Sequence, residues 1–170
     1  MVHLLKAITA AGLLTMSSIA AAMPISGDIN FTGLASYNVA ANEVTEIAFT
    51  STPEVLSATG SFSSVAINSP VSIPNNPFIL ANLPLALWSV GGFTFELKTV
   101  AFNSVTDSGF GQSASVSGYG TISKAGYDDT SGIWGFTSQS AVGNISNGEF
   151  SFSAVTVPEP GTIALLGMAL

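Results

Sequence analysis

The chain has no cysteine and no arginine, and its one histidine is His3. These absences remove whole classes of chemistry. Without thiols there are no disulfides to hold the fold and no thiolate nucleophile or thiolate-bound metal. Without a histidine beyond position 3, a Ser-His-Asp arrangement cannot be assembled in the body of the chain. Charge is scarce too. Asp, Glu, Lys and Arg make up 8% of the residues, against a typical ~25%. Only three residues are Lys or Arg while ten are acidic, for a formal net charge of −7. Binding phosphates requires cations to displace condensed counterions, so nucleic acid and anionic lipid are not expected partners. No P-loop or dinucleotide fingerprint occurs; Gly109-Phe-Gly111 and Gly118-Tyr-Gly120 read as turn or strand glycines. No cofactor is expected.

What is present is alternation. From Ile25 onward the apolar period is two rather than 3.6. Ile29 and Phe31 alternate with Asp28, Asn30 and Thr32, and Ile47 and Phe49 with Glu46 and Thr50. Phe93, Phe95 and Leu97 face one way, with Thr94, Glu96 and Lys98 opposite. Between Gln112 and Lys124, Ala114, Val116, Gly118, Gly120 and Ile122 share one side. Ser113, Ser115, Ser117, Tyr119, Thr121 and Ser123 take the other. Trp134 with Phe136, then Phe150, Phe152 and Ala154, repeat the pattern. Turn signals fall at Gly33, Gly60, Ser69-Pro70, Asn75-Asn76-Pro77, Gly91-Gly92, Asp128-Asp129 and Asn147-Gly148. Pro70 to Pro84, with four prolines, reads as a long crossover holding at most an edge strand. One buried and one wet face per strand implies antiparallel pairing. The expected fold class is all-β: one antiparallel sandwich or barrel-like domain over residues 23–156.

The two ends read as addresses. In residues 1–22, Lys6 gives a positive start, Ala7–Ile19 a short apolar run, and Ala20-Ala21-Ala22 a small-residue cleavage site before Met23, with Ala20 and Ala22 as its key positions. That is the pattern of a secretory signal helix. At the other end, Pro158 and Pro160 fix φ and remove two backbone donors around Glu159. Thr162 is a plausible N-cap for the apolar helix formers up to Leu170. Nine helical residues would rise about 13 Å against a hydrocarbon core of ~30 Å, so this short C-terminal helix cannot span a membrane.

The order Val157-Pro158-Glu159-Pro160-Gly161-Thr162, followed by Ala164-Leu165-Leu166-Gly167, resembles the PEP-CTERM sorting signal of exported bacterial proteins. In that family a full transmembrane helix and a basic cluster follow the motif. The 157–170 tail is read as a truncated form, ending before both. The resemblance implies an exosortase-type processing enzyme as partner, with Val157, Pro158, Glu159 and Pro160 as the sorting motif. It also implies transient inner-membrane contact through the complete tail, an extracellular or cell-surface destination, and association with exopolysaccharide. Leu87-Trp88-Ser89-Val90-Gly91-Gly92-Phe93-Thr94-Phe95, Gly118-Tyr119-Gly120-Thr121-Ile122, Gly126 to Gly132 with Ile133-Trp134-Gly135-Phe136, and Phe150 to Ala154 are similar, more loosely, to cargo carrying such tails.

Few residues are candidates for a site. Trp88 and Trp134 could stack on sugar rings if exposed. Trp134 is in phase with Phe136, which favours the core, whereas Trp88 lies before a glycine bend and could face either way. Asp128 and Asp129 are weak candidate calcium ligands; a turn in which they bond their own backbone accounts for them more simply. Glu43 with Glu46, or Asp128 with Asp129, could supply paired carboxylates for glycoside hydrolysis only if held ~5–9 Å apart in a cleft. The expectation is therefore a non-enzymatic surface or matrix protein. A secreted carbohydrate-binding module and a carboxylate-dependent hydrolase are the two alternatives.

Overall fold

A computed structural model describes residues 23–107, 109, 111–141 and 148–156, with 140–141 and 148–156 as backbone alone. Among these residues eleven strands are formed: β1 (Met23–Pro24), β2 (Asp28–Ala40), β3 (Glu43–Phe49), β4 (Glu54–Ala58), β5 (Phe78–Ile79), β6 (Leu85–Val90), β7 (Phe93–Asp107), β8 (Gly111–Ser123), β9 (Tyr127–Asp128), β10 (Thr130–Ala141) and β11 (Gly148–Thr156). The protein is all-β, and a 3-10 turn at Gly60–Ser64 is its one helical element among the described residues. The expected signal helix and C-terminal helix lie outside the described residues.

Nine strands make one antiparallel sheet in the order β5-β3-β2-β11-β10-β8-β7-β6, with β4 paired to β2 beside β3. β1 and β9 form a separate parallel pair. The second half of the chain is a meander, and β11 then slots between β10 and the early strand β2. Two-residue turns set the hairpin registers. Val90 pairs Phe93 across Gly91 and Gly92, whose φ values of 57° and 82° need glycine's freedom. Ala40 pairs Glu43 across Ala41 and Asn42, which take φ values of 53° and 63° without it.

The sheet is not closed as a ladder, yet its ends meet through other contacts. Residues 68–72 run between β4 and β6. The Val55 amide donates to the Ser69 carbonyl (3.0 Å) and Val71 to Pro53 (2.8 Å), while Ser72 and Ser89 exchange backbone bonds of 2.9 Å. Lower down, the Asn103 side chain bonds both backbone groups of Val44, at 2.9 and 2.8 Å, and the Val105 amide donates to the Asn42 carbonyl (2.8 Å). The expected Pro70–Pro84 crossover is this stitching segment, with β5 as its short edge strand and cis bonds at Asn76-Pro77 and Leu83-Pro84.

One side of the sheet holds an aromatic core. Phe31, Trp88 and Phe95 pack in sequence, at 5.1 and 5.8 Å between centroids, and Phe49, Phe78 and Trp134 follow at 5.9 and 6.2 Å. Offset and edge-on pairs of this kind contribute roughly 0.5–1.5 kcal/mol each beyond area burial. The 3-10 turn drives Phe62 into one end, 4.5 Å from the Phe93 ring, and the Lys124 ammonium sits 3.9 Å from that ring's centroid. The expected inner faces of β7, β8 and β10 are buried at Phe93, Phe95, Leu97, Ala114, Val116, Ile122, Trp134 and Phe136. The side chains of Phe150, Phe152 and Ala154 lie outside the described set.

One expectation is corrected. Gly33 is not a turn: β2 runs straight through it, and Gly33 pairs Phe150 of β11. A glycine inside an alternating run can mark a strand lined by a close neighbour as readily as a break.

Candidate binding surface

The residues singled out in the sequence do not form one site. Trp88 is 1% exposed and Trp134 fully buried. Trp88 is inward in phase with Val90, and the strand bulges just before it. Ala86 pairs Glu96 and Trp88 pairs Phe95, so Leu87 is an extra residue and both it and Trp88 turn to the core. Both indoles are therefore out of reach of a glycan at the surface, which removes them as stacking platforms. Asp128 and Asp129 are exposed, and the Asp128 carbonyl accepts the Thr130 hydroxyl at 2.9 Å. Among the described residues no group of three His, Cys, Asp or Glu side chains gathers to hold a metal ion. Glu43 and Glu46 both lie on β3, where Glu46 accepts from the Asn38 amide at 3.2 Å; Asp28, on β2, accepts the Thr59 hydroxyl at 2.7 Å. The 1–22 signal and the Val157–Pro160 motif lie outside the described residues.

What the fold assembles instead is a surface. On β8 the outward positions are Ser113, Ser115, Ser117, Tyr119, Thr121 and Ser123. On β10, beside it, they are Ser131, Ile133, Gly135, Thr137 and Gln139. No charged side chain stands among them, although the chain is acidic overall. Tyr119 pairs directly with Ile133, and the two are 53% and 40% exposed. Phe102 of β7, also 53% exposed, pairs with Ser117, two residues along β8 from Tyr119. Gly135, opposite Ser117, has open space where a side chain would stand. The result is a strip of hydroxyls with an aromatic and an aliphatic group exposed on it.

Beyond Phe102 the strip runs into a groove of about 490 Å³ between β3, residues 79–81 and the middle of β7. It opens because β6 pairs β7 only as far as Leu97, while β7 continues to Asp107. Sequence periodicity gives the strip's outward side but not the groove, which depends on where non-neighbouring strands stop pairing.

Chemically, the strip offers hydroxyl donors and acceptors and one phenolic ring, with no base, nucleophile pair or cation. The groove contains a single carboxylate, Glu43, where glycoside hydrolysis uses two. No protein-family model matches the chain, and comparison with curated proteins and with solved structures returns no match.

Proposed function

We infer that this is an exported, non-enzymatic surface or matrix protein, whose curled, barrel-like sheet carries a face for neutral exopolysaccharide. One observation carries the polysaccharide part: the charge-free strip of β8 and β10 with Tyr119 and Ile133 paired and exposed on it. A hexose ring has apolar C–H faces and a rim of hydroxyls. An exposed phenol meets the face, and serine and threonine hydroxyls meet the rim directly or through water. Exposed apolar groups set in a polar surround are a common mark of an interaction site. Without positive charge, the strip has no attraction for phosphates or anionic lipid.

Export and sorting rest on the two ends of the sequence. Residues 1–22 act as the signal, cut after Ala22. Pro158, Glu159 and Pro160 direct processing by an exosortase-type enzyme after transient inner-membrane anchoring through the complete tail, which carries the full transmembrane helix and basic end. Expression with the complete tail in a bacterium that makes both exopolysaccharide and such an enzyme tests the whole reading. The expected result is an N-terminus at Met23, loss of the tail, and recovery in the matrix fraction. Tyr119→Ala should shift the protein from matrix to culture medium without reducing export. Retention in the cytosol, or matrix recovery indifferent to Tyr119, would overturn it.

A further inference from the structure

The geometry points to the groove beside Phe102 as a separate subsite that takes one neutral hexose unit of a glycan chain. This rests on the polysaccharide reading and assigns it a specific pocket. Three features of the lining select the occupant.

The first is that the β3 side of the groove leaves no free backbone for an added strand. Strand addition needs free backbone groups along an edge. Here Asn103 occupies both the amide and the carbonyl of Val44, the Leu80 amide donates to the Thr45 carbonyl (3.1 Å), and the Val105 amide donates to the Asn42 carbonyl (2.8 Å). The β3 side of the groove is already stitched. The second is charge. Glu43 is the one ionisable side chain in the lining, with no lysine beside it, so sulfated, phosphorylated or uronate sugars are disfavoured. A single carboxylate is also too few for a calcium site. The third is shape and polarity. Phe102 and Ile79, 53% and 41% exposed, give an apolar floor for a sugar's C–H face, and Glu43 can accept from its hydroxyls in charge-assisted bonds. The volume, about 490 Å³, is in the range of small-molecule sites.

The test is a chemical-shift titration of the purified full-length chain with cellotriose, maltotriose and mannotriose, and with trigalacturonate as the anionic control. At least one neutral trisaccharide should give saturable shifts at residues 79–81 and 100–103, and trigalacturonate should give none there. Phe102→Ala should weaken that binding at least tenfold and Glu43→Gln several-fold. Leu56→Ala, on an exposed position of β4, should leave it unchanged. Phe102 is exposed, so its truncation should leave tryptophan emission native. Trisaccharide binding that is unaltered in both groove variants would overturn the proposal. So would shifts confined to other residues, or shifts at 100–103 that appear on concentrating the protein without sugar. If polysaccharide is retained but no trisaccharide perturbs the groove, the subsite fails and the surface reading stands. If neither binds, both fail.

Discussion

Gly120 carries the most demanding test of the packing. It faces inward on β8, and a Cβ there would lie 2.5 Å from Cζ and 2.9 Å from Cε2 of Phe95, and would run into the Glu96 carbonyl. Neither obstacle can retreat. The Phe95 ring is buried and stacked on Trp88 at 5.8 Å and 11°, and the Glu96 carbonyl belongs to the neighbouring strand. Overpacking of a filled core costs about 1–3 kcal/mol, and a backbone clash places Gly120→Ala near the top, about 3 kcal/mol. Gly132→Ala meets the Ile122 Cδ1 at 2.9 Å, the end of a flexible side chain, and should cost about 1 kcal/mol. Gly135→Ala has nothing within 4 Å and should be neutral or stabilise by about 0.5 kcal/mol, since alanine has less unfolded-state freedom to lose. Urea unfolding followed by tryptophan emission reads all three against the same m value. In thermal scans the Gly120 variant should melt roughly 6–12 °C low, at about 2–4 °C per kcal/mol. Equal midpoints for Gly120→Ala and Gly135→Ala would refute the claim that the inner face of β8 closes on Phe95.

Other consequences follow from single contacts. Ala41→Gly should stabilise by about 0.5–1 kcal/mol, because Ala41 sits at φ 53° in the β2–β3 turn; a lower urea midpoint would contradict that turn geometry. Asn103→Ala should cost about 2–3 kcal/mol in the same assay by leaving both Val44 backbone groups without their partner, and a loss below ~0.5 would show the seam is not held there. Ser138 is buried on β10 with its hydroxyl unpartnered, so Ser138→Ala should be neutral or stabilising by up to ~1 kcal/mol. Acrylamide should quench tryptophan emission weakly in the native state and strongly in urea, as two buried indoles require.

Much of the fold was legible because alternation survives wherever a ladder is regular. The inner rows of β8 and β10 and the Phe93-Phe95-Leu97 row are buried as their spacing implies. Parity fails at bulges, and a bulge is a property of two strands rather than one. Leu87 and Trp88 both turn inward because β6 has one residue more than its partner at that point, and no reading of β6 alone shows it. The same holds in β3. Asn38 pairs Glu46 and Val39 pairs Val44, so Thr45 is extra and the buried side passes from Val44 to Ile47 and Phe49. Asn103 gave no signal either, since its pairing with Val44 spans 59 residues of sequence. The outward hydroxyl row was readable as a row. Its pairing with Ile133 and its junction with the Phe102 groove depended on strand order, which local pattern does not encode.

The most direct measurement of the central claim is electrophoresis of the purified protein through gels containing neutral polysaccharide, with and without 0.5 M NaCl in the loading and running buffer. Retardation that persists in salt and is lost in Tyr119→Ala is the expected result, because the β8–β10 strip carries no charge of its own and Glu96, exposed on β7 opposite Thr121, meets no opposite charge on a neutral polysaccharide for salt to screen. Free migration of the wild type, or retardation abolished by salt, would contradict the account.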